Sequence, residues 1–341
     1  MKSQGLFSAL SILIICTFCL VGLGGIVHNT GSSLACPDWP LCFGQVFPKM
    51  EGAVAIEHSH RLLATFVGFL TLIWLFLARG GKRGARQKFL SQVATVLVIF
   101  QGVLGGMTVL LKISPIMSTA HLITSQIYLS VVWLGWLSEY YRPELEDSDS
   151  HVPRSEIFKF APFLLIIFLI QMGIGAFIRH SGASVSCGLG PESMWLCPNS
   201  ETGILEIWPN SSPAQWNMIH RFFGVFVWLA LVFSTLKPLK FAKKYSQKGL
   251  RRTVVSIHIL TTLQVALGIM TIATGIQIHT VTAHLVVAMV IWMQIWNLWI
   301  QTGLAEIKFL NSVPSKTHLS VNLSAKLDKS FRNNSGMKEK L

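Results

Sequence analysis

Eight runs of about 20 apolar residues recur along the chain, at approximately 6–27, 60–78, 89–111, 119–138, 158–178, 219–236, 254–274 and 281–301. A helix of that length crosses roughly 30 Å of hydrocarbon. Inside a bilayer every backbone N–H and C=O needs an internal partner, so runs this long can span only as helices. Composition agrees: 51% of the residues are hydrophobic and 13% charged, about half the charged share of a soluble domain. The expected fold is an all-α integral membrane protein with eight transmembrane helices.

The formal net charge of +13 would suit a nucleic-acid binder, but its placement does not. Basic residues crowd the 79–88 connection (Arg79, Lys82, Arg83, Arg86, Lys88), the 237–252 connection and the tail after 304. The alternate connections, 28–59, 112–118 and 179–218, are nearly free of Lys and Arg. Positive charge marks the cytoplasmic side, so both termini are expected in the cytoplasm and the alternate loops outside. The acidic 139–157 connection is placed inside by helix counting alone. These basic stretches face anionic lipid; the expected partner is the bilayer, with no nucleic acid. The first run is too long for a signal-peptide core and lacks a small-x-small cleavage site, so it is expected to remain. Nothing resembles a mitochondrial presequence, which points to a bacterial cytoplasmic (inner) membrane.

The chain also repeats itself. "GGIVHNTGSSLAC" (24–36) answers "GAFIRHSGASVSC" (175–187), His60-Arg61 answers His220-Arg221, "QGVLGGMTV" (101–109) answers "QVALGIMTI" (264–272), and "TAHL" occurs at 119–122 and 282–285. Polar residues shared in fixed order indicate a duplicated unit. The expected organisation is two tandem four-helix bundles in the same orientation. Residues 1–140 form the N-terminal half, 141–157 a connecting loop and 158–303 the C-terminal half. Residues 304–341, polar and basic, read as a disordered cytoplasmic tail.

Four histidines fall at matching places: His60 and His220 at the starts of the second and sixth helices, His121 and His284 at the starts of the fourth and eighth. All four belong at the outer end of the membrane. An ionisable residue there marks a functional site, although a single histidine at a helix end is commonly just a hydrogen-bonded interface residue. Neutral imidazole is a common transition-metal ligand, and two from facing helices suit axial ligation of a haem. Zinc would call for three or four clustered ligands. Gly102, Gly105, Gly106, Gly173, Gly175 and Gly268 leave room for a macrocycle, or simply for tight helix packing. Arg61 and Arg221 could pair with haem propionates or snorkel to the interface.

The halves differ just before the first histidine of each. Glu57 shares a helical face with His60, whereas its counterpart is Asn217. A carboxylate can stabilise developing positive charge or accept a proton from water; it can also favour the start of a helix. His58 aligns with Met218 and reads as incidental.

Glu-x-x-His-Arg at 57–61, four histidines on even-numbered helices, the duplicated unit and paired cysteines in outer loops together resemble the haem A synthase family, from about residue 6 to 301. The resemblance implies oxidation of the C8 methyl of haem O to a formyl group by successive hydroxylations, which would supply haem A to cytochrome oxidase. It implies that Glu57 is catalytic and that His60 and His121 hold the haem O substrate. It further implies a cofactor haem b with His220 and His284 as its iron ligands, together with an electron acceptor and a haem O synthase as partners. The other reading of the same histidines is a bis-histidine b-type cytochrome taking electrons from a quinol, or a haem carrier.

Of six cysteines, Cys16 and Cys19 read as buried, small apolar residues of the first helix. Cys36 and Cys42 share one outer loop, Cys187 and Cys197 its counterpart. An oxidising outer compartment favours disulfides, so Cys36–Cys42 and Cys187–Cys197 are expected to staple lids over the two pockets. In the light of the resemblance, Cys36–Cys42 could also cycle between dithiol and disulfide.

Overall fold

The computed structural model describes residues 4–80, 84–141, 157–190, 193, 196–199, 201–244 and 246–311. Eight helices carry the fold: α1 Gln4–Asn29, α2 Gly52–Arg79, α3 Ala85–Leu110, α4 Pro115–Tyr140, α5 Ile157–His180, α6 Ser212–Lys244, α7 Lys248–Ala273 and α8 Ile278–Asn311. All eight are long and apolar enough to cross a membrane, and the protein is a multi-pass membrane protein. The only strands among the described residues are the two-residue pieces β1 (Cys197–Pro198) and β2 (Leu205–Glu206), paired antiparallel between α5 and α6.

The helices outrun the apolar runs that announce them. Helix α2 begins eight residues before residue 60, and α6 begins at Ser212 rather than 219. Apolarity marks where lipid is met, whereas a helix continues wherever its backbone bonds can propagate. Helix α8 likewise continues to Asn311, past the expected start of the tail at 304. The expectations for 142–156 and 312–341 fall outside the described residues.

Packing follows the repeat. In the first half α1 and α3 each pack on α2 and α4; in the second, α5 and α7 each pack on α6 and α8. Each ring encloses an apolar cluster, one around Trp74, Leu129 and Val132, the other around Leu164, Leu231, Ile257 and Ile291. The halves meet through α4–α5, α1–α8 and α4–α8. Met289 and Met293 of α8 reach into the first cluster, and Ile123 of α4 borders the second.

Lipid tails are as apolar as leucine, so helix association in a membrane depends on close packing and polar contacts. Ser130 on α4 supplies such a contact, accepting Trp292 Nε1–H at 2.7 Å and Trp296 Nε1–H at 3.0 Å from α8. Near the other end of the seam Arg179 donates to Asn29 Oδ1 from Nε (3.1 Å) and Nη2 (2.8 Å). Each such bond is worth about 1 kcal/mol in a bilayer. Phe69, Phe76, Val96 and Ile259 are more than 60% exposed, as befits side chains that face lipid. Cys19, read as a buried residue, is instead exposed on α1.

Candidate functional site

The four histidines lie at two repeated depths. His60 and His220 stand eight residues beyond the first residue of α2 and α6; His121 and His284 stand six beyond that of α4 and α8. At 1.5 Å per residue these are about 12 and 9 Å from the helix start. The histidines are therefore inside their helices, two turns in, rather than at the beginning. His60 lies within electrostatic range of His121, and His220 of His284.

Each imidazole rests on a glycine of the preceding helix. A β-carbon on Gly24 would lie 3.0 Å from His60 Cε1, on Gly105 3.3 Å from His121 Cε1, on Gly175 2.8 Å from His220 Cε1, and on Gly268 3.2 Å from His284 Cε1. Gly24 corresponds to Gly175 and Gly105 to Gly268 in the repeat, so the glycine–histidine seat occurs four times. The other glycines do different work. Gly102 faces open space and Gly173 touches Ile123 of α4. Gly24 stands in the aligned repeat, which is the signal by which sequence reasoning could have found it.

Glutamines tie these helices to their neighbours. Gln101 Nε2 donates to the His121 carbonyl at 2.9 Å. Gln171 Nε2 reaches both the carbonyl (3.0 Å) and Nδ1 (3.1 Å) of His220. The Nδ1 atoms of His60, His121 and His284 are buried, and the backbone of Leu20 and of Gln264 lies within hydrogen-bonding reach of the His60 and His284 rings. Among the described residues none of the four belongs to a cluster of three metal-binding side chains. Buried imidazoles in pairs from facing helices, each seated on a glycine, fit a haem and not a closed zinc site.

Glu57, read as either a chemical group or a helix-start acid, caps nothing: Glu51 occupies the N-cap of α2 and makes no side-chain cap bond. Glu57 is 3% exposed and clamps the first cysteine loop. Its Oε2 accepts the Cys36 N–H at 2.7 Å and its Oε1 accepts Arg61 Nη2 at 2.6 Å. Arg61 in turn donates to the carbonyls of Asp38 (2.7 Å), Leu41 (2.5 Å) and Cys36 (3.2 Å). With both terminal nitrogens engaged, a bidentate propionate contact at Arg61 would displace the loop. The second half repeats the clamp without the acid. Asn217 Nδ2 donates to the carbonyls of Ala183 (3.0 Å) and Ser184 (3.2 Å), and Oδ1 accepts Arg221 Nε at 3.0 Å. Arg221 Nη1 also reaches the Ser193 carbonyl at 2.7 Å.

Both disulfides are formed, with Cα–Cα distances of 4.8 Å for Cys36–Cys42 and 4.5 Å for Cys187–Cys197. Between the first pair of cysteines, Asp38 turns the loop by accepting the Phe43 (2.6 Å) and Gly44 (2.8 Å) amides. The Gly44 amide above all holds the Asp38 carboxyl below its ordinary range. Trp39, on the same loop, reaches α3, where a β-carbon on Gly106 would lie 2.8 Å from Trp39 Cδ2. The counterpart of Gly106 is Ile269, so this socket belongs to the first half alone. His58 is not incidental: it is 3% exposed and lies against the Cys36–Cys42 bridge. Its counterpart Met218 is buried in a cluster with Cys187 and Cys197.

The cytochrome oxidase assembly protein family matches residues 8–55 and 49–296. Curated relatives include the haem A synthase of Halalkalibacterium halodurans, 28% identical over 280 residues that cover 79% of this chain and 87% of that one. That of Bacillus licheniformis is 27% identical over 291 residues, covering 83% and 90%. That of Alkalihalophilus pseudofirmus is 30% identical over 230 residues, covering 65% and 72%. The match runs through all eight helices and both cysteine loops; the chain belongs to the cytochrome oxidase assembly family of the haem A synthases.

Proposed function

We propose that the protein is a haem A synthase in which the two halves divide the work. The N-terminal half, 1–140, receives haem O between His60 and His121. The C-terminal half, 158–303, holds a b-type haem on His220 and His284. The observation that carries this division is an asymmetry of charge between matched pockets: Glu57 in one, Asn217 in the other. A bis-histidine cytochrome fed by a quinol gives no reason for it.

When bound, the b-type haem supplies one-electron redox chemistry. The chain's own residues supply position and proton handling. Gly24 and Gly105 seat the substrate-side histidines, and Gly175 and Gly268 the cofactor-side ones. Glu57 has one lone pair on each oxygen occupied; an ionised carboxylate has about four acceptor sites, so capacity remains to take a proton from an attacking water. Each hydroxylation of the methyl by water releases two electrons and two protons, and the second gives a diol that loses water to the aldehyde. Both termini lie in the cytoplasm, the cysteine loops on the outer face of the bacterial inner membrane. A product as apolar as haem O favours direct transfer from a haem O synthase. Contact of Arg61 or Arg221 with propionates accompanies opening of the loops they clamp.

Purified protein loaded with b-type haem, given haem O and a one-electron acceptor dye, should form hydroxylated haem and then haem A by mass; unchanged haem O would overturn the reading. Two glycine variants test the division. Gly175→Ala, whose new β-carbon would sit 2.8 Å from His220 Cε1, should lower bound b-type haem several-fold, read from the absorbance of reduced haem per protein. Gly106→Ile, which copies Ile269, should expel Trp39. Bound b-type haem should stay unchanged while haem A output falls several-fold in extracted membranes.

A further inference from the structure

We propose that Cys36, Cys42 and His58, once the disulfide is opened, form a three-ligand site for a thiophilic closed-shell cation, Zn(II) or Cu(I). This site does not depend on the haem reading. Among the described residues it is the one group of three His, Cys, Asp or Glu side chains whose ligand atoms converge, with both sulfurs and an imidazole nitrogen within 4.8 Å of one another. Cys36 and Cys42 are fully buried and His58 nearly so.

The tautomer of His58 is the second observation. Its Nε2 lies 2.8 Å from the Val46 carbonyl. A carbonyl only accepts, so Nε2 carries the proton and Nδ1 keeps its lone pair. That Nδ1 is buried and has no partner. Metal-binding histidines characteristically donate their other N–H to a backbone carbonyl or carboxylate, which fixes the ring and its tautomer. Here that outer contact is in place. The loop is also held from outside the ligand set, through the Cys36 N–H on Glu57 Oε2 and the Cys36 carbonyl on Arg61 Nη2.

Two sulfurs and one imidazole select soft or borderline ions over Mg(II) or Ca(II). Three protein ligands leave a fourth position for water or an exogenous ligand on Zn(II), and complete a trigonal set on Cu(I). The chemistry balances simply. A dithiol reductant delivers two electrons and two protons to the S–S bond and leaves as its own disulfide. The cation then displaces the two thiol protons to solvent and takes the lone pair of His58. In the closed disulfide neither sulfur is a thiolate, so uptake requires reduction. The second loop offers a contrast: Met218 stands where His58 does and packs among Cys187, Cys197 and Ala214 as an apolar cluster.

The test uses full-length, haem-loaded protein with Cys16→Ala, Cys19→Ala, Cys187→Ala and Cys197→Ala, so that no thiol outside the proposed site competes. It is reduced with a phosphine, freed of reductant, and titrated with Co(II) alone, as the visible stand-in for Zn(II), or with Cu(I) alone. Reduced protein should take up one ion per chain, with cobalt–thiolate charge-transfer absorption in the Co(II) arm; oxidised protein should take up none. His58→Leu should weaken uptake on the order of 100-fold at unchanged haem content, and His58→Cys should restore it. Uptake of Co(II) assigns a Zn(II)-type site and uptake of Cu(I) alone a copper-type one. Equal uptake by oxidised protein or by His58→Leu, or uptake of neither cation, would overturn the proposal.

Discussion

Glu57→Gln should abolish haem A formation and leave the b-type haem bound. Glutamine keeps the length of the side chain and a carbonyl oxygen for the Cys36 N–H, which Glu57 accepts at 2.7 Å. It cannot hold a proton taken from water, nor stabilise positive charge on a substrate. Loss of a positioned proton acceptor typically lowers a rate by about 10²–10⁴-fold, enough to erase haem A from a membrane extract. Glu57→Ala goes further. It leaves Arg61, whose side chain is only 12% exposed, without its ion partner, and breaking a buried pair on one side costs about 3–5 kcal/mol. The alanine variant should therefore lose activity together with order in the 36–42 loop, seen as faster proteolysis there. The glutamine variant also removes the charge opposite Arg61 but keeps one carbonyl for the clamp, so it should lose as much activity with a smaller loss of loop order. Haem A output near that of the parent in Glu57→Gln would remove the acid from the mechanism and reduce it to a loop clamp, the role Asn217 plays in the other half.

The second large effect concerns the histidines, and the two halves should answer differently. His220→Ala or His284→Ala removes one of the two imidazoles proposed for the b-type haem. Both variants should lose most bound haem and all product. His60→Ala or His121→Ala should keep the b-type haem at parental stoichiometry and still make no haem A. Reduced-haem absorbance and product mass, measured on the same purified samples, separate these outcomes. Loss of b-type haem from His60→Ala as complete as from His220→Ala would mean that the halves are not divided as proposed.

Much of this was legible in the sequence because membranes impose few and strong constraints. The eight runs predict eight helices, since no other element satisfies its backbone in lipid over such a length. The repeat, read from residues such as Gly24, Gly175, Gln101 and Gln264, anticipated that His60 and His220 would share a depth, as they do. Helix starts were not legible, because the first two turns of α2 and α6 carry polar residues that a hydropathy reading assigns to loops. The partner of each histidine was not legible either. Gly24 and His60 meet across helices α1 and α2, and nothing local in either segment announces the contact.

The most instructive difference is at positions 57, 58 and 61. Sequence reasoning offered Glu57 a chemical role or a helix start, Arg61 a propionate or the membrane interface, and His58 nothing. In the folded chain all three converge on one loop. Glu57 and Arg61 grip its backbone, and His58 lies against its disulfide. Long-range convergence of that kind depends on where a loop of some twenty residues folds back, which periodicity along the chain does not encode. The comparison of halves did carry a trace of it: position 58 is His in one and Met in the other, beside a disulfide in both.

The division of labour is tested most directly by mass-resolved haem analysis of membranes from a host that lacks haem A. The protein is co-expressed with a haem O synthase, either as the parent chain or as Glu57→Gln. The parent should convert haem O to haem A through a hydroxylated intermediate, and the variant should accumulate haem O while retaining its b-type haem. Haem O left unconverted by a folded, haem-loaded parent chain would contradict the account.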